Sequence, residues 1–274
     1  MPQTPQSPNK LTPDKLAADK PPDKLEIFAI SGLPEVASGD PLGALLLQAM
    51  EQNGSGLQPG LQDGDVLVVA QKVVSKAEGR MVELSGVEPS PKALSLAEKL
   101  GKDARHLEVI LRESKRIVRM NAGVVIVETH QGLVCANAGV DTSNVPEGWV
   151  SLLPADPDAS ARRLLEELGS ATGKRLAVII SDTFGRPWRE GLTNVAIGVA
   201  GFLPLLDYRG KQDRQGHSLA ATVIATADEL AAAAELVMGK TAGRPAALVR
   251  NFPWTPGPGK AADLIRPKEK DLFR

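Results

Sequence analysis

The order of apolar and polar positions predicts strands and helices mixed without a strict alternation. Short apolar runs bounded by Gly, Pro or Asp are typical of strands. Two of these runs, 124–129 and 133–138, are separated by a short turn and predict a hairpin. The predicted strands cover residues 25–30, 65–70, 124–129, 133–138, 175–182, 195–206 and 246–250. This mixture predicts an α+β fold, or an irregular α/β fold, with mixed sheets packed against helices.

Helices are predicted where apolar residues recur every three to four positions behind a capping residue. Asp40 and Ser90 each precede a Pro that suits the first turn of a helix. Thr226 and Glu229 have the spacing of a capping box, which predicts the start of a helix. Gly169 is expected to end the helix over 156–168. One helix is predicted to begin at Asp40, and a helix or turn is predicted after residue 70. The other predicted helices cover 91–101, 103–118, 156–168 and 226–239.

The first 24 residues differ in composition from the rest of the chain. They are rich in Pro, Lys and Asp and lack an apolar core. Such a segment buries too little apolar surface to offset the entropy lost on ordering. We therefore expect residues 1–24 to be a disordered tail and residues 25–274 to form the folded region.

Composition and charge exclude several classes of protein. The 274 residues carry 32 basic and 33 acidic side chains, which argues against a nucleic-acid-binding protein. Cys135 is the single cysteine, so a disulfide framework is excluded and we expect that residue to pack as a small hydrophobe. No apolar run reaches the ~18 residues of a membrane span, and a cytoplasmic location is expected.

Two predicted strands are each followed by an Asp-Thr pair. Asp141 and Thr142 follow the run ending at 138, and Asp182 and Thr183 end the strand over 175–182. Carboxylate and hydroxyl oxygens suit Mg²⁺ or Mn²⁺, which complete their coordination with water and phosphate oxygens. The same residues also form turns and helix caps, so both interpretations stay open from these residues alone.

Basic side chains follow the same segments and favour an anionic ligand. Arg186 and Arg189 come after Asp182, Lys76 comes after the strand over 65–70, and 207–217 contains further Arg and Lys residues. Arg and Lys side chains bind phosphate and carboxylate oxygens. Neither a GxGxxG fingerprint nor a GxxxxGK[ST] loop is present. The residues thus indicate a metal-dependent enzyme acting on a phosphorylated or carboxylated small molecule.

Several long stretches together resemble the coenzyme F420:L-glutamate ligase family, also called F420-0:gamma-glutamyl ligase. They occur in the family's order from about residue 25 to the end of the chain. They read GLPEV (32–36), AQKVVSKAEGR (70–80), ESKRIVR (113–119), GLVCANAGVDTSNVP (132–146), SDTFGRPWREGLTNVAIGVAG (181–201) and DYRGKQDRQGH (207–217).

The resemblance implies a GTP-dependent ligase that adds L-glutamate to the lactyl carboxylate of the deazaflavin precursor, coenzyme F420-0. Further glutamates follow by gamma-linkage, and each addition passes through an acyl phosphate. Two divalent ions, Mg²⁺ or Mn²⁺, are implied, and a K⁺ ion is allowed. The implied subunit has two interleaved lobes and forms an intertwined homodimer, with no nucleic-acid or membrane partner.

The resemblance also implies roles for individual residues. Asp141 and Asp182 match the carboxylates of the metal site, Thr183 matches a ligand of a second metal, and Arg189 is assigned to catalysis. Nucleotide contacts are implied for Leu33, Pro34, Glu35, Val36, Gln71, Lys76 and Asn144. Two positions depart from the family pattern. Gln71 stands where some relatives have a hydroxyl residue, and Lys240 and Thr241 stand where several relatives carry an acidic, metal-binding loop.

Two other functions fit the same residues. A metal-dependent phosphohydrolase would release phosphate without an acceptor, and a non-catalytic GTP-binding protein would bind nucleotide without turnover. The stretches around Asp141 and Asp182 together favour the ligase.

Overall fold

The protein, seen in a computed structural model that describes residues 22–52, 60–121 and 123–272, is built around a five-stranded mixed sheet. The sheet contains β1 (Glu26–Ile30), β2 (Val66–Ala70), β8 (Ala177–Arg186), β9 (Arg189–Ala200) and β12 (Ala246–Arg250). The strand order is β1-β12-β2-β8-β9. Only β2 and β8 pair in parallel; the other three pairs are antiparallel.

Helices cover both faces of this sheet, so its central strands are apolar on both sides. The described residues form α1 (Leu42–Gln52), α2 (Gln71–Ala77), α3 (Pro91–Leu100), α4 (Ala104–Arg112), α5 (Pro157–Thr172) and α6 (Thr226–Met238). Leu67 and Val69 of β2 pack in one core with α1 and α5, whereas Val66 and Val68 pack in another with α6. None of these helices is long and apolar enough to cross a membrane.

A third core lies outside this sheet. It is formed by α3 and α4 with the three-stranded sheet of β4 (Ser114–Asn121), β5 (Val124–Thr129) and β6 (Val134–Ala136). Leu107 and Ile110 of α4 pack there with Val125 and Val127 of β5. The smaller sheets pair β3 (Met81–Glu83) with β7 (Trp149–Ser151), and β10 (Leu206–Asp207) with β11 (Val223–Ile224).

The structure confirms the mixed α+β content, the hairpin of β5 and β6, and the cap of α3. Ser90 Oγ accepts from the Ala93 N–H at 3.2 Å, and Gly101 ends the helix with φ 63°. Cys135 is buried, and burial raises the pKa of its thiol to about 12. Residues 1–21 of the expected tail lie outside the described ranges, and the two-lobed subunit and the homodimer stay predictions.

The helix expected over 103–118 is wrong in its second half. It ends at Arg112, and β4 follows from Ser114 because Ile117 and its neighbours pair with β5. The pairing of β4 with β5 joins residues that are distant in sequence, so the local spacing of apolar residues does not predict it.

Two elements also have boundaries that differ from expectation, and one expected cap is absent. Gly169 lies inside α5, which ends instead at Gly173 with φ 67°. Thr226 does not cap α6, because its hydroxyl donates to the Pro204 carbonyl at 3.0 Å. The strand expected over 195–206 begins earlier, at Arg189, and ends at Ala200.

Gly198 lets β9 approach the first turn of α5. A Cβ at this position would lie 2.3 Å from the Pro157 carbonyl oxygen and 2.6 Å from its carbon. Because the obstacle is backbone, we expect Gly198→Ala to lower the free energy of unfolding by about 1–3 kcal/mol, measured by urea denaturation. Gly86→Ala is the matched control, since a Cβ there meets no atom within 4 Å. Equal stability of the two variants would contradict this packing argument.

Candidate functional site

The largest group of sequence-predicted site residues meets in one cavity at an edge of the five-stranded sheet. β1, β2 and β8 run in the same direction, so their carboxyl ends lie at this edge. The cavity has a volume of about 400 Å³. It is lined by Leu33–Val36 after β1, by Gln71, Lys72 and Lys76 after β2, by Ser181–Thr183 of β8, by Asp141, Ser143, Asn144, Asn194 and Glu235, and by residues 238–241 and 243–245. Ligands commonly bind at the carboxyl ends of strands in mixed sheets of this kind.

Asp182 lies at the point where β8 stops pairing with β2 and pairs only with β9. The expectation that the strand ends at Asp182 is wrong, because β8 continues to Arg186 beside β9. Its pairing with β2 does end there, at the Ala70–Ser181 pair. Burial raises the pKa of Asp182 to about 6, the charge of Asp141 adds to that effect, and Lys240 opposes it. Positive charge next to this carboxyl therefore stabilises its ionised form.

Asp141 reaches the cavity from outside the main sheet. Its backbone forms an isolated bridge with Ser151, through N–H···O bonds of 2.9 and 3.0 Å. Its carboxylate accepts from the Ser143 N–H at 2.9 Å and from the Ser143 hydroxyl at 2.7 Å. The turn interpretation is thus confirmed for this Asp, and the same carboxylate also lines the cavity.

Lys72 is a site residue that sequence reasoning missed. Its Nζ donates to Asp141 Oδ2 at 2.6 Å, and to the Ser143 carbonyl and hydroxyl oxygens at 2.6 and 2.7 Å. Burial alone would raise the pKa of Asp141, but the bonds from Lys72 and Ser143 outweigh it and hold the pKa below its usual range. The position of Lys72 just after β2 was the available sequence signal, because residues that follow neighbouring parallel strands lie at the same edge of the sheet.

The residues expected to contact a nucleotide form one wall of the cavity. Lys76 forms an ion pair with Glu35, whose side chain is 84% exposed, whereas that of Lys76 is 13% exposed. Gln71 is buried, and its Oε1 accepts from the Ser75 hydroxyl at 2.8 Å. Asn144 has a left-handed backbone with φ 53°, which Asn tolerates better than most residues.

Thr183 begins a chain of polar contacts that continues into β9 and α6. Its hydroxyl donates to Asn194 Oδ1 at 2.8 Å, and Asn194 Nδ2 donates to Glu235 Oε2 at 3.1 Å. Lys240 Nζ in turn donates to Thr183 Oγ1 at 2.9 Å. Asn194 and Glu235 were not found from the sequence, because β9 and α6 supply them from positions with no local motif.

Arg189 does not join this group. It lies at the tip of the β8–β9 hairpin, where it is exposed and lines a separate cavity formed by residues 185–192. The basic residues Arg209, Lys211 and Arg214 lie between β10 and β11 and are likewise outside the lining of the main cavity. The catalytic assignment of Arg189 stays a prediction.

The oxygen donors of the main cavity fit a hard divalent cation that shares its coordination with a ligand. Asp141, Asp182 and Thr183 offer two carboxylates and a hydroxyl. Across the described ranges, no group of three or more His, Cys, Asp or Glu residues has the arrangement of a metal site. Mg²⁺ is commonly held by one or two carboxylates, with waters and substrate phosphates completing the octahedron. The residues therefore fit a cation bound together with a phosphate, rather than a protein-only metal site.

Comparisons with known proteins agree on one family. The family model described as F420-0:Gamma-glutamyl ligase matches residues 32–251. The chain is 47% identical to the coenzyme F420:L-glutamate ligase of Methanothermobacter thermautotrophicus, over 91% of this chain and 99% of that protein. It is also 47% identical to that of Methanopyrus kandleri, over 88% and 94% of the two chains, and 39% identical to that of Archaeoglobus fulgidus, over 92% and 97%.

Proposed function

The chain belongs to the F420-0:gamma-glutamyl ligase family, whose ligases add glutamate in coenzyme F420 biosynthesis, and we propose that it does so with GTP as the phosphoryl donor. The acceptor is the lactyl carboxylate of F420-0, and later glutamates are joined by gamma-linkage. The observation that carries this proposal is the placing of Asp141 and Asp182 in one cavity with Lys72, Lys76 and Lys240. Acidic and basic groups together suit a nucleotide bound with a cation.

Two steps account for the products. First, an oxygen of the acceptor carboxylate forms a bond to the γ-phosphorus of GTP, while the bond from that phosphorus to its bridging oxygen breaks and GDP leaves. Then the amine of L-glutamate attacks the carbonyl carbon of the acyl phosphate. The C–O bond to phosphate breaks, inorganic phosphate leaves, and the amine loses its proton to solvent as the amide forms.

The chain's own residues would hold the reactants for both steps. Asp141 and Asp182 are the residues that would hold Mg²⁺ or Mn²⁺, which when bound neutralises charge on the transferring phosphoryl group. Lys76 can exchange its partner Glu35 for a phosphate oxygen, because the Glu35 side chain is exposed and remains hydrated when it is released. The loop 33–36 lines the cavity, and exclusion of water by this loop would protect an acyl phosphate from hydrolysis.

One assay separates the ligase from the two alternatives. The full chain is incubated with F420-0, GTP, Mg²⁺ or Mn²⁺ and L-glutamate, and the products are examined by mass spectrometry together with phosphate release. Ligation requires the mass of added glutamyl units and phosphate release that depends on both acceptor and glutamate. Phosphate release without them would indicate a phosphohydrolase, and nucleotide binding without turnover would indicate a non-catalytic GTP-binding protein.

The nucleotide preference is a separate prediction. We expect ligation with GTP to exceed ligation with ATP by at least about tenfold at equal, subsaturating concentration. The basis is the family resemblance, and a tenfold preference corresponds to about 1.4 kcal/mol of differential binding. Initial rates of glutamyl addition with each nucleotide provide the measurement, with CTP as the control for non-specific use of a triphosphate. Equal rates with GTP and ATP would contradict the preference while leaving the ligase proposal in place.

A further inference from the structure

The hydrogen-bonded side chains on the wall formed by β8, β9 and α6 are arranged with each donor facing the next acceptor in one direction. Thr183 and Asn194 are directly paired residues of β8 and β9, and Glu235 projects from α6. Hydrogen bonds run from Lys240 to Thr183, from Thr183 to Asn194, and from Asn194 to Glu235. Glu235 Oε2 accepts from Asn194 Nδ2, so the Asn194 amide has its nitrogen towards the helix and its oxygen towards Thr183.

This direction determines what Thr183 can bind. A threonine hydroxyl has a single hydrogen, and here that hydrogen is directed at Asn194 Oδ1, 2.8 Å away. Only oxygen lone pairs of Thr183 remain for a group on the other side. A group bound there must therefore be a donor or a cation, and Asn194, at 4% exposure, is too enclosed to reorient freely.

Lys240 already occupies that position. Its Nζ lies 2.9 Å from Thr183 Oγ1, and its charge acts on the neighbouring Asp182. The cavity lining as a whole carries four acidic side chains and four basic ones. The acidic ones are Glu35, Asp141, Asp182 and Glu235, and the basic ones are Lys72, Lys76, Lys240 and Arg244. A second divalent ion at Thr183 would be bound by a neutral hydroxyl and repelled by the Lys240 ammonium, whereas at Asp141 the carboxylate offsets the charge of the neighbouring Lys72.

We propose that the Lys240 ammonium takes the place of a second divalent cation at Thr183, so that the loaded site holds one divalent ion. This inference rests on the proposed function, because it concerns the site with nucleotide bound. A lysine ammonium has three N–H donors, and one of them is used on Thr183. The other two remain for oxygens of the nucleotide phosphates, so Lys240 supplies as a fixed side chain the charge that a second ion would bring.

The test is a count of bound Mn²⁺ by electron paramagnetic resonance, with a non-hydrolysable GTP analogue present. We expect one Mn²⁺ per chain in the wild type and two in Lys240→Glu, where a carboxylate replaces the ammonium beside Thr183. Lys99→Glu is the matched control, since Lys99 is an exposed residue of α3 outside the cavity lining, and it should bind one. Thermal unfolding followed by circular dichroism establishes that both variants are folded.

The outcomes separate this inference from the function on which it rests. Two Mn²⁺ ions in the wild type, or one in Lys240→Glu, would overturn the role of Lys240 while leaving the nucleotide site intact. No bound Mn²⁺ in the wild type or in either variant would overturn the proposed metal-dependent nucleotide site, and the inference with it.

Discussion

Asp141→Asn and Asp182→Asn are each expected to lower the rate of glutamate ligation at least ~100-fold, the scale of one strong electrostatic contact in a transition state. Asn keeps the size and much of the hydrogen bonding of Asp but removes the charge that a divalent cation requires. Both carboxylates line the same cavity, and the charge of Asp141 acts on Asp182. Ligation rates by mass spectrometry and nucleotide-dependent Mn²⁺ binding provide two independent measurements.

The double variant distinguishes a shared cation from two separate contributions. If both carboxylates hold one ion, the ion is lost once, and Asp141→Asn with Asp182→Asn should be little slower than either single variant. Asp103→Asn is the matched control, because Asp103 is an exposed cap of α4 at which Asn also serves. Near-full ligation in either single variant, or losses that multiply in the double variant, would return these residues to a turn-forming role.

Replacing Arg250 by Met is expected to lower the free energy of unfolding by about 3–5 kcal/mol, because it leaves a buried carboxylate without its cation. Arg250 donates to Asp65 Oδ1 at 2.9 Å and to Oδ2 at 2.7 Å, and also to the Gly60 carbonyl at 2.8 Å. The Asp65 side chain is 1% exposed. Urea denaturation followed by circular dichroism measures the change, which should exceed that of Gly198→Ala.

The loss of stability in Arg250→Met should arise from the unpaired carboxylate of Asp65 rather than from the loss of the arginine side chain. Asp65→Leu combined with Arg250→Met removes both charges and should recover a large part of the stability lost by Arg250→Met alone. Arg105→Met is the control for loss of an exposed ion pair, here with Asp103, and should change the stability little. A double variant less stable than the single one by the full additive amount would contradict this account.

Much of the fold could be predicted from local pattern because the pattern reflects burial. β2 reads as a continuous apolar run since its residues alternate between the two cores on either side of the sheet. The Ser90-Pro91 start and the Gly101 end of α3 were likewise predictable, because capping chemistry is local. β4 was not, because its strand conformation depends on pairing with β5.

The residues of the candidate site likewise fall into those that the sequence predicted and those that it did not. Asp141, Asp182 and Thr183 could be found because carboxylate and hydroxyl side chains follow or end apolar runs, and the loop 33–36 was implied by the family resemblance. The structure brings them together in one cavity. Lys72 had only its position after β2 as a signal. Asn194, Glu235 and the contact of Lys240 with Thr183 could not be found, since single charged or amide residues carry no distinguishing spacing. Arg189 had the expected chemistry, but the β8–β9 hairpin places it outside that cavity.

The sequence by itself therefore determined the family, the mixed α+β content and the two carboxylates, because each of these is written in contiguous residues. Only the tertiary structure decided which cations lie beside those carboxylates and which groups Thr183 contacts. The physical reason is distance along the chain. Lys72 reaches Asp141 across 69 residues and Lys240 reaches Thr183 across 57, and such contacts exist only once the strands have paired and brought their carboxyl ends to one edge.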